Sequence, residues 1–249
     1  SKLHLILCGS SMSFMEKQVL SAKSPLYGRR TSQIRVKPFT FFETKEMLEG
    51  MDKEDIAIIH SATGGVAEYL SYVDKSIRLE ENLVNLFLKP SGRLFEEPIN
   101  LLNQELKSPE VYNRIIYAVA NGANKNIEIS NQTGIPSGSL SPYLKNLTEL
   151  EIIKKEVPYG ESSGRKTLYR IKDGCFRFYF RYVLRFQSQI IGMNGERIYN
   201  EFIREDLSNF MGEGFEYISY DFFEKLNKED KFFGFVHSYG RWWGNNPLE

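Results

Sequence analysis

The sequence has 249 residues, 41% apolar and 26% charged, and its 32 basic and 32 acidic side chains cancel. That length favours roughly two or three modules with separate cores, and the neutral balance excludes a polyanion partner argued from net charge alone. Two cysteines, Cys8 and Cys175, with no C-x-x-C pair or Cys/His cluster, speak against a disulfide framework or a zinc or other metal site, and no run nears the ~18 apolar residues of a bilayer span, so a cytoplasmic setting with no membrane partner is expected.

The opening SKLHLILCGSS lacks a basic leader region and a cleavage site, and the chain starts without Met and stops at PLE, as a piece of a longer protein would. Residues 3–9 are a continuous apolar run closed by Gly-Ser-Ser, which predicts a strand buried on both faces of a parallel sheet. Ser13 caps a predicted helix over FMEKQVLSA. After the turn SPLYGRR, the alternating QIRVKPF predicts a second short strand ended by Pro38. FTFFETKEMLEGM then reads as a helix stopped at Gly50. Strand, helix, strand, helix over 1–51 is the C-terminal half of an α/β sheet, with its other strands supplied elsewhere, because two parallel strands do not fold alone.

Residues 52–107 turn helical: IAIIHSA, GGVAEYLSYVD, LEENLVNLFL and EEPINLLNQELK, punctuated by Thr-Gly-Gly and Pro-Ser-Gly. They predict a small bundle packed on the sheet. Residues 108–185 hold the clearest unit. SPEVYNRIIYAVANG and NIEISNQTG are helices with Gly stops, and Leu140, Leu144, Leu147 and Leu150 form one apolar stripe on a third. Pro142 is tolerated in that helix because it falls in the first turn. IIKKEVPYG and KTLYRI flank ESSGR as a hairpin, and three helices with a hairpin predict a winged helix-turn-helix. Residues 186–249, an acid-rich helix and a strand-like end holding Trp242 and Trp243, complete an α/β plus α chain with an α+β C-terminal part. Glu205, Asp206 and Glu216 read there as solvated helix faces.

Opposite the leucine stripe, Ser139, Ser141, Lys145, Asn146 and Thr148 would face a major groove of double-stranded DNA, with Arg165 and Lys166 on the wing meeting phosphates. Between Arg114 and Arg185, twelve Lys/Arg face six Asp/Glu, an excess that phosphate neutralisation would use. The same unit equally suits a structural or partner-binding role, including contact with a second copy. Arg29 and Arg30 sit in a Gly-led turn, where a planar fixed charge can reach a phosphoryl group on a neighbouring subunit. A solvated basic turn is the alternative. Ser10 and Ser11 fall at the carboxyl end of the first predicted strand, the edge where such sheets keep ligands.

LILCGSSMSFMEKQVLSAKSPLYGRRTSQIRVKPFTFFE resembles the C-terminal half of the nucleotide-binding domain of the prokaryotic, archaeal-type AAA-like ATPases of the STAND group. CGSS is similar to their sensor-one strand, SPLYGRR to their arginine-finger segment, and ATGGVAEYL to the Gly-Gly segment opening their helical lid, although Ala67 stands where the family often has Pro. Further on, FFEKLN and GRWWGNN resemble a C-terminal domain related to PD-(D/E)XK nucleases. The resemblance implies Arg29 and Arg30 as finger residues, Ser10, Ser11, Gly64 and Gly65 near the nucleotide, and ATP with Mg²⁺ as cofactors of the parent protein. The sequence departs from the pattern in lacking G-x-x-x-x-G-K-[ST], an acidic Walker B strand and an acidic nuclease strand. This stretch alone is therefore expected to bind no nucleotide tightly and to hydrolyse none. The implied function is the C-terminal portion of an ATP-dependent switch acting on DNA through its winged helix; the alternative is a non-enzymatic DNA-binding or docking module.

Overall fold

Apolar side chains recurring every three to four positions make helices the prevailing regular element among the described residues. A computed structural model describes residues 4–9, 15, 21–29, 31–161, 164–192, 194–232 and 234–243, with the side chain of Arg165 also outside the described residues. Helix α1, Phe41–Met47, opens on a reciprocal cap: Thr40 Oγ1 accepts from the Glu43 amide at 3.4 Å while the Thr40 amide donates to the Glu43 carboxylate at 2.8 Å. Asp52 caps α2, Lys53–Thr63, by accepting from the Glu54 amide at 2.8 Å. Helices α3, Ala67–Ser71, α4, Leu79–Phe87, and α5, Glu97–Glu105, follow. Leu48, Ile56, Ile59 and Leu70 make a small core among α1, α2 and α3. Asn82 is buried and ties the loop before α4, its Oδ1 accepting from the Asp74 amide and its Nδ2 donating to the Asp74 carbonyl, both at 2.9 Å.

Helix α6, Pro109–Ala120, begins on a proline whose missing N–H costs nothing in the first turn. Helix α7, Asn126–Thr133, ends at Gly134 in the left-handed region, and a 3₁₀ turn, Ser137–Ser139, leads into α8, Ser141–Glu149. Leu140, Leu144 and Leu147 are at most 2% exposed and join the core that contains Ile115 and Ile116 of α6. Strand β1, Ile153–Glu156, then pairs antiparallel with β2, Leu168–Ile171, Ile153 opposite Ile171 and Glu156 opposite Leu168. This pair is the one sheet among the described residues.

No parallel sheet forms over 1–51 among those residues. Residues 4–9 and 31–40 run without strand pairing, and Ile6 and Val36 are each 89% exposed. A strand read as buried on both faces needs strands beside it and layers above and below, and none is present here. The helix expected over FMEKQVLSA falls mostly outside the described residues.

Helix α9, Gly174–Phe178, is capped by Asp173 and runs on through a π-helical turn, Tyr179–Val183; α10, Gln187–Gly192, and α11, Gly195–Ile198, follow, the latter continued by a second π turn, Tyr199–Ile203. Helix α12, Leu207–Lys228, is the longest described. Phe178 centres the main core, its ring 4.5 Å from Phe87 and 5.5 Å from Phe210. Both α9 and α12 pack on α2, and the crossing of α12 is close: a Cβ on Gly214 would lie 2.2 Å from Ser61 Oγ. The described part of 232–247, expected to be strand-like, carries no strand; it is held by Tyr159 N–H to the Arg241 carbonyl at 2.7 Å and by Val236 N–H to Asn227 Oδ1 at 2.9 Å. Among the described residues no helix is long and apolar enough to cross a membrane.

Candidate nucleic-acid interface

The leucine stripe buries one side of α8 and leaves the other to solvent. Ser139, Ser141, Lys145 and Thr148 are all exposed there. Lys145 pairs with Glu149 at 3.6 Å, and the Thr148 hydroxyl donates to the Leu144 carbonyl at 2.7 Å. Asn146 departs from the outward reading. It is half-buried, and its Nδ2 donates to the Tyr112 hydroxyl of α6 at 2.7 Å, so it joins two helices instead of facing outward. Its place directly before buried Leu147 puts it at the edge of the stripe, within reach of α6.

Between β1 and β2, a 3₁₀ turn, Gly164–Lys166, carries Arg165 and Lys166. Lys166 Nζ donates to Glu161 at 2.6 Å and its carbonyl accepts from Trp243 Nε1 at 3.3 Å; the Arg165 side chain lies outside the described residues. Exposed pairs such as Lys145–Glu149 and Lys166–Glu161 hold these cations weakly, at about 0–1 kcal/mol, so a phosphate can displace either carboxylate.

Much of the local positive excess turns inward. The side chains of Arg170 and Arg177 are 14% and 9% exposed, and both face Glu213 of α12. Arg181 donates Nε and Nη2 to the two oxygens of Asp206 at 2.7 and 2.9 Å. Those bonds, led by the Arg181 contact, hold the Asp206 carboxyl down at about 2. Asp206 and Glu216 are therefore structural acids and not solvated faces: Glu216 forms ion pairs with Arg241 Nε at 2.9 Å and with Arg170 at 3.5 Å. The sequence signal for this network was available, because Arg177, Arg181 and Arg185 recur every four residues and so share one helical face.

Of the nucleotide-side residues, Arg29, Gly64 and Gly65 are among those described. Ser10, Ser11 and Arg30 lie outside the described residues. Arg29 is exposed on a turn, where its amide donates to the Leu26 carbonyl at 3.1 Å. Gly64 and Gly65 have φ of 65° and 73°, and their open sides are filled by protein: a Cβ on Gly65 would sit 2.3 Å from the Phe39 carbonyl, and one on Gly64 3.1 Å from the Gly174 amide. The Gly65 carbonyl in turn accepts from the Phe39 amide at 2.7 Å. Beside them His60 is buried, sharing a 2.8 Å hydrogen bond with the Thr44 hydroxyl, and burial, aided by the nearby Arg177 charge, pushes its pKa down to about 4. Gly64 and Gly65 thus do not form a phosphate cradle, and no group of three or more His, Cys, Asp and Glu that could hold a metal ion occurs among the described residues.

Residues 179–247 match the family DUF234, described as "Archaea bacterial proteins of unknown function". Over 254 aligned residues the chain is 37% identical to the uncharacterized protein MJECL04 of Methanocaldococcus jannaschii. Both matches are to archaeal-type sequences. The second covers 98% of this chain and 54% of the relative, so the chain spans about half the length of the curated protein it matches. No solved structure matches it.

Proposed function

We propose that this chain is the C-terminal portion of an ATP-dependent, AAA-like switch protein whose residues 108–185 act as a winged helix docking on double-stranded DNA. One observation carries the DNA reading: α8 buries its leucines and presents Ser141, Lys145 and Thr148 outward, beside a hairpin whose turn supplies Lys166. A helix so presented is the element that enters a major groove, and flanking cations on a hairpin meet the backbone. Binding of a short duplex, followed by fluorescence anisotropy across a salt series, tests it. Each phosphate contact contributes about −0.9 to the slope of log K against log salt, so neutralising Lys145, Arg165 and Lys166 together flattens the slope by roughly 2 to 3. An unchanged slope refutes the interface.

Docking on a protein partner is the second reading, and the pairing of Lys145 and Lys166 with carboxylates favours it. It predicts no salt-dependent duplex binding at all. The ATP-dependent part of the proposal rests on the resemblance of SPLYGRR to an arginine-finger segment and concerns the longer protein, where Arg29 and Arg30 would contact the phosphates of a neighbouring copy. ATP hydrolysis by that longer protein, lost on replacing both arginines with Ala while nucleotide binding persists, is the expected result; hydrolysis unaffected by the change refutes the role.

A further inference from the structure

Arg170, Arg177 and Arg181 line a cavity of about 50 Å³ between the end of α6, β2, α9 and α12, with Asn124, Phe210 and Glu213 completing much of its wall. One water needs about 10–15 Å³ of such space, so a group of several atoms fits. Arg177 is 7% exposed. Its Nη2 donates to the Ser61 carbonyl at 3.2 Å and its guanidinium lies 4.6 Å from the Phe210 ring centre. Its Nε and Nη1 have no hydrogen-bond partner, the Glu213 carboxylate standing 3.9 Å from Nη1. Arg170 Nη1 is unmatched in the same way, with Glu216 at 3.5 Å as an ion pair only.

We propose that this cavity binds a small tetrahedral oxyanion of the phosphate class, gripped by Arg177 Nε and Nη1 and Arg170 Nη1, with Arg181 at the rim. The unmatched atoms named here are donors on guanidinium groups, which do not deprotonate and whose planar forks suit oxyanions. A water could accept one of those hydrogen bonds but would leave Arg177 sharing the single Glu213 carboxylate with Arg170. The carboxylates nearby are largely committed. Asp206 takes both Arg181 donors, Glu216 is shared with Arg241, and Glu213 bonds Arg170 Nη2. The cavity adjoins a wider groove of about 580 Å³ that shares Ala120 and Arg181 and also presents Glu201, Glu205 and Asp206. With Arg181 and Arg185 set against those three acids, the groove offers no positive excess to a multiply charged backbone, which favours a single oxyanion seated deep over a nucleic acid strand.

Isothermal calorimetry on the full chain tests the site, with inorganic phosphate, O-phosphoserine and, at matched ionic strength, chloride as titrants. Phosphate should bind with a millimolar or tighter constant that chloride does not reproduce. Arg177→Met should weaken it about tenfold or more, and Arg181→Gln less, because its guanidinium is already held by Asp206. Phosphate without phosphoserine binding identifies a free anion as the ligand; both together identify a phosphate group carried on a larger molecule that extends into the groove, and either result supports the site. If Arg177→Met does not fold, the arginine Nε–H resonances of the wild type test the same contact, since that of Arg177 must shift on phosphate addition. A phosphate response no larger than that of chloride, full affinity in Arg177→Met, or an unmoved Arg177 Nε–H overturns the proposal.

Discussion

His60 makes a testable link between burial and pH. It is 8% exposed between α1 and the end of α2, its ring 5.9 Å from that of Phe41, and its pKa falls from the ordinary 6.5 to about 4. The folded chain therefore binds fewer protons than the unfolded chain between those values. Stability is complete above pH 6.5 and declines as pH falls toward 4, by about 1.4 kcal/mol per unit and about 3 kcal/mol in all. Urea unfolding followed by circular dichroism at intervals from pH 7.5 to 4.5 should show that decline in the wild type. His60→Gln keeps a polar atom near the Thr44 hydroxyl, so the variant should lose a fixed amount at neutral pH and then stand up to acid better, the two curves converging by about 2 kcal/mol at pH 5. Parallel curves across that range would refute a buried neutral imidazole.

Asp206→Asn should destabilise the chain at pH 7 by about 1 kcal/mol, the full pKa effect being reduced because the Asp206 side chain is 31% exposed. Since that carboxyl is held down at about 2, the gap from wild type is present above pH 4 and closes as pH falls through 2, which the same unfolding assay reads. Gly65→Ala should cost about 2 kcal/mol or more, because φ is 73° and the added carbon meets the Phe39 carbonyl at 2.3 Å; an unmoved urea midpoint would show that the 39–65 contact does not hold in solution. Phe178→Ala empties the space between Phe87 and Phe210 and should cost about 3–5 kcal/mol by the same measurement.

The leucine stripe was legible from spacing, since Leu140, Leu144 and Leu147 lie at most 2% exposed while Leu150 is half-buried at the helix end. The hairpin was legible too, because polar and glycine residues separate two short β-prone runs that pair from Ile153 to Glu156 and from Leu168 to Ile171. Partner-dependent features were not. The apolar run at residues 4–9 predicts a buried strand, yet burial requires neighbours that periodicity cannot supply, and Ile6 is 89% exposed. Asn146 looks like any polar helix residue until Tyr112 is placed beside it at 2.7 Å. Arg177, Arg181 and Arg185 count in the sequence toward the positive excess that phosphates would use, whereas Arg177 is enclosed by residues from α2 and α12, which only tertiary packing reveals.

The close approach of Gly214 to Ser61 governs how the chain can be taken apart. Ser61 accepts from Arg177 through its carbonyl, so residues 61, 177 and 214 form one seam reaching across most of the described length. A protein cut after residue 185, or one in which only that last part is exchanged for a relative's, would part α12 from the helix it lies against and open the arginine pocket to water. The DUF234 match begins at residue 179, between the first two arginines of the run, so the unit of inheritance marked by that family and the unit of folding need not share a border.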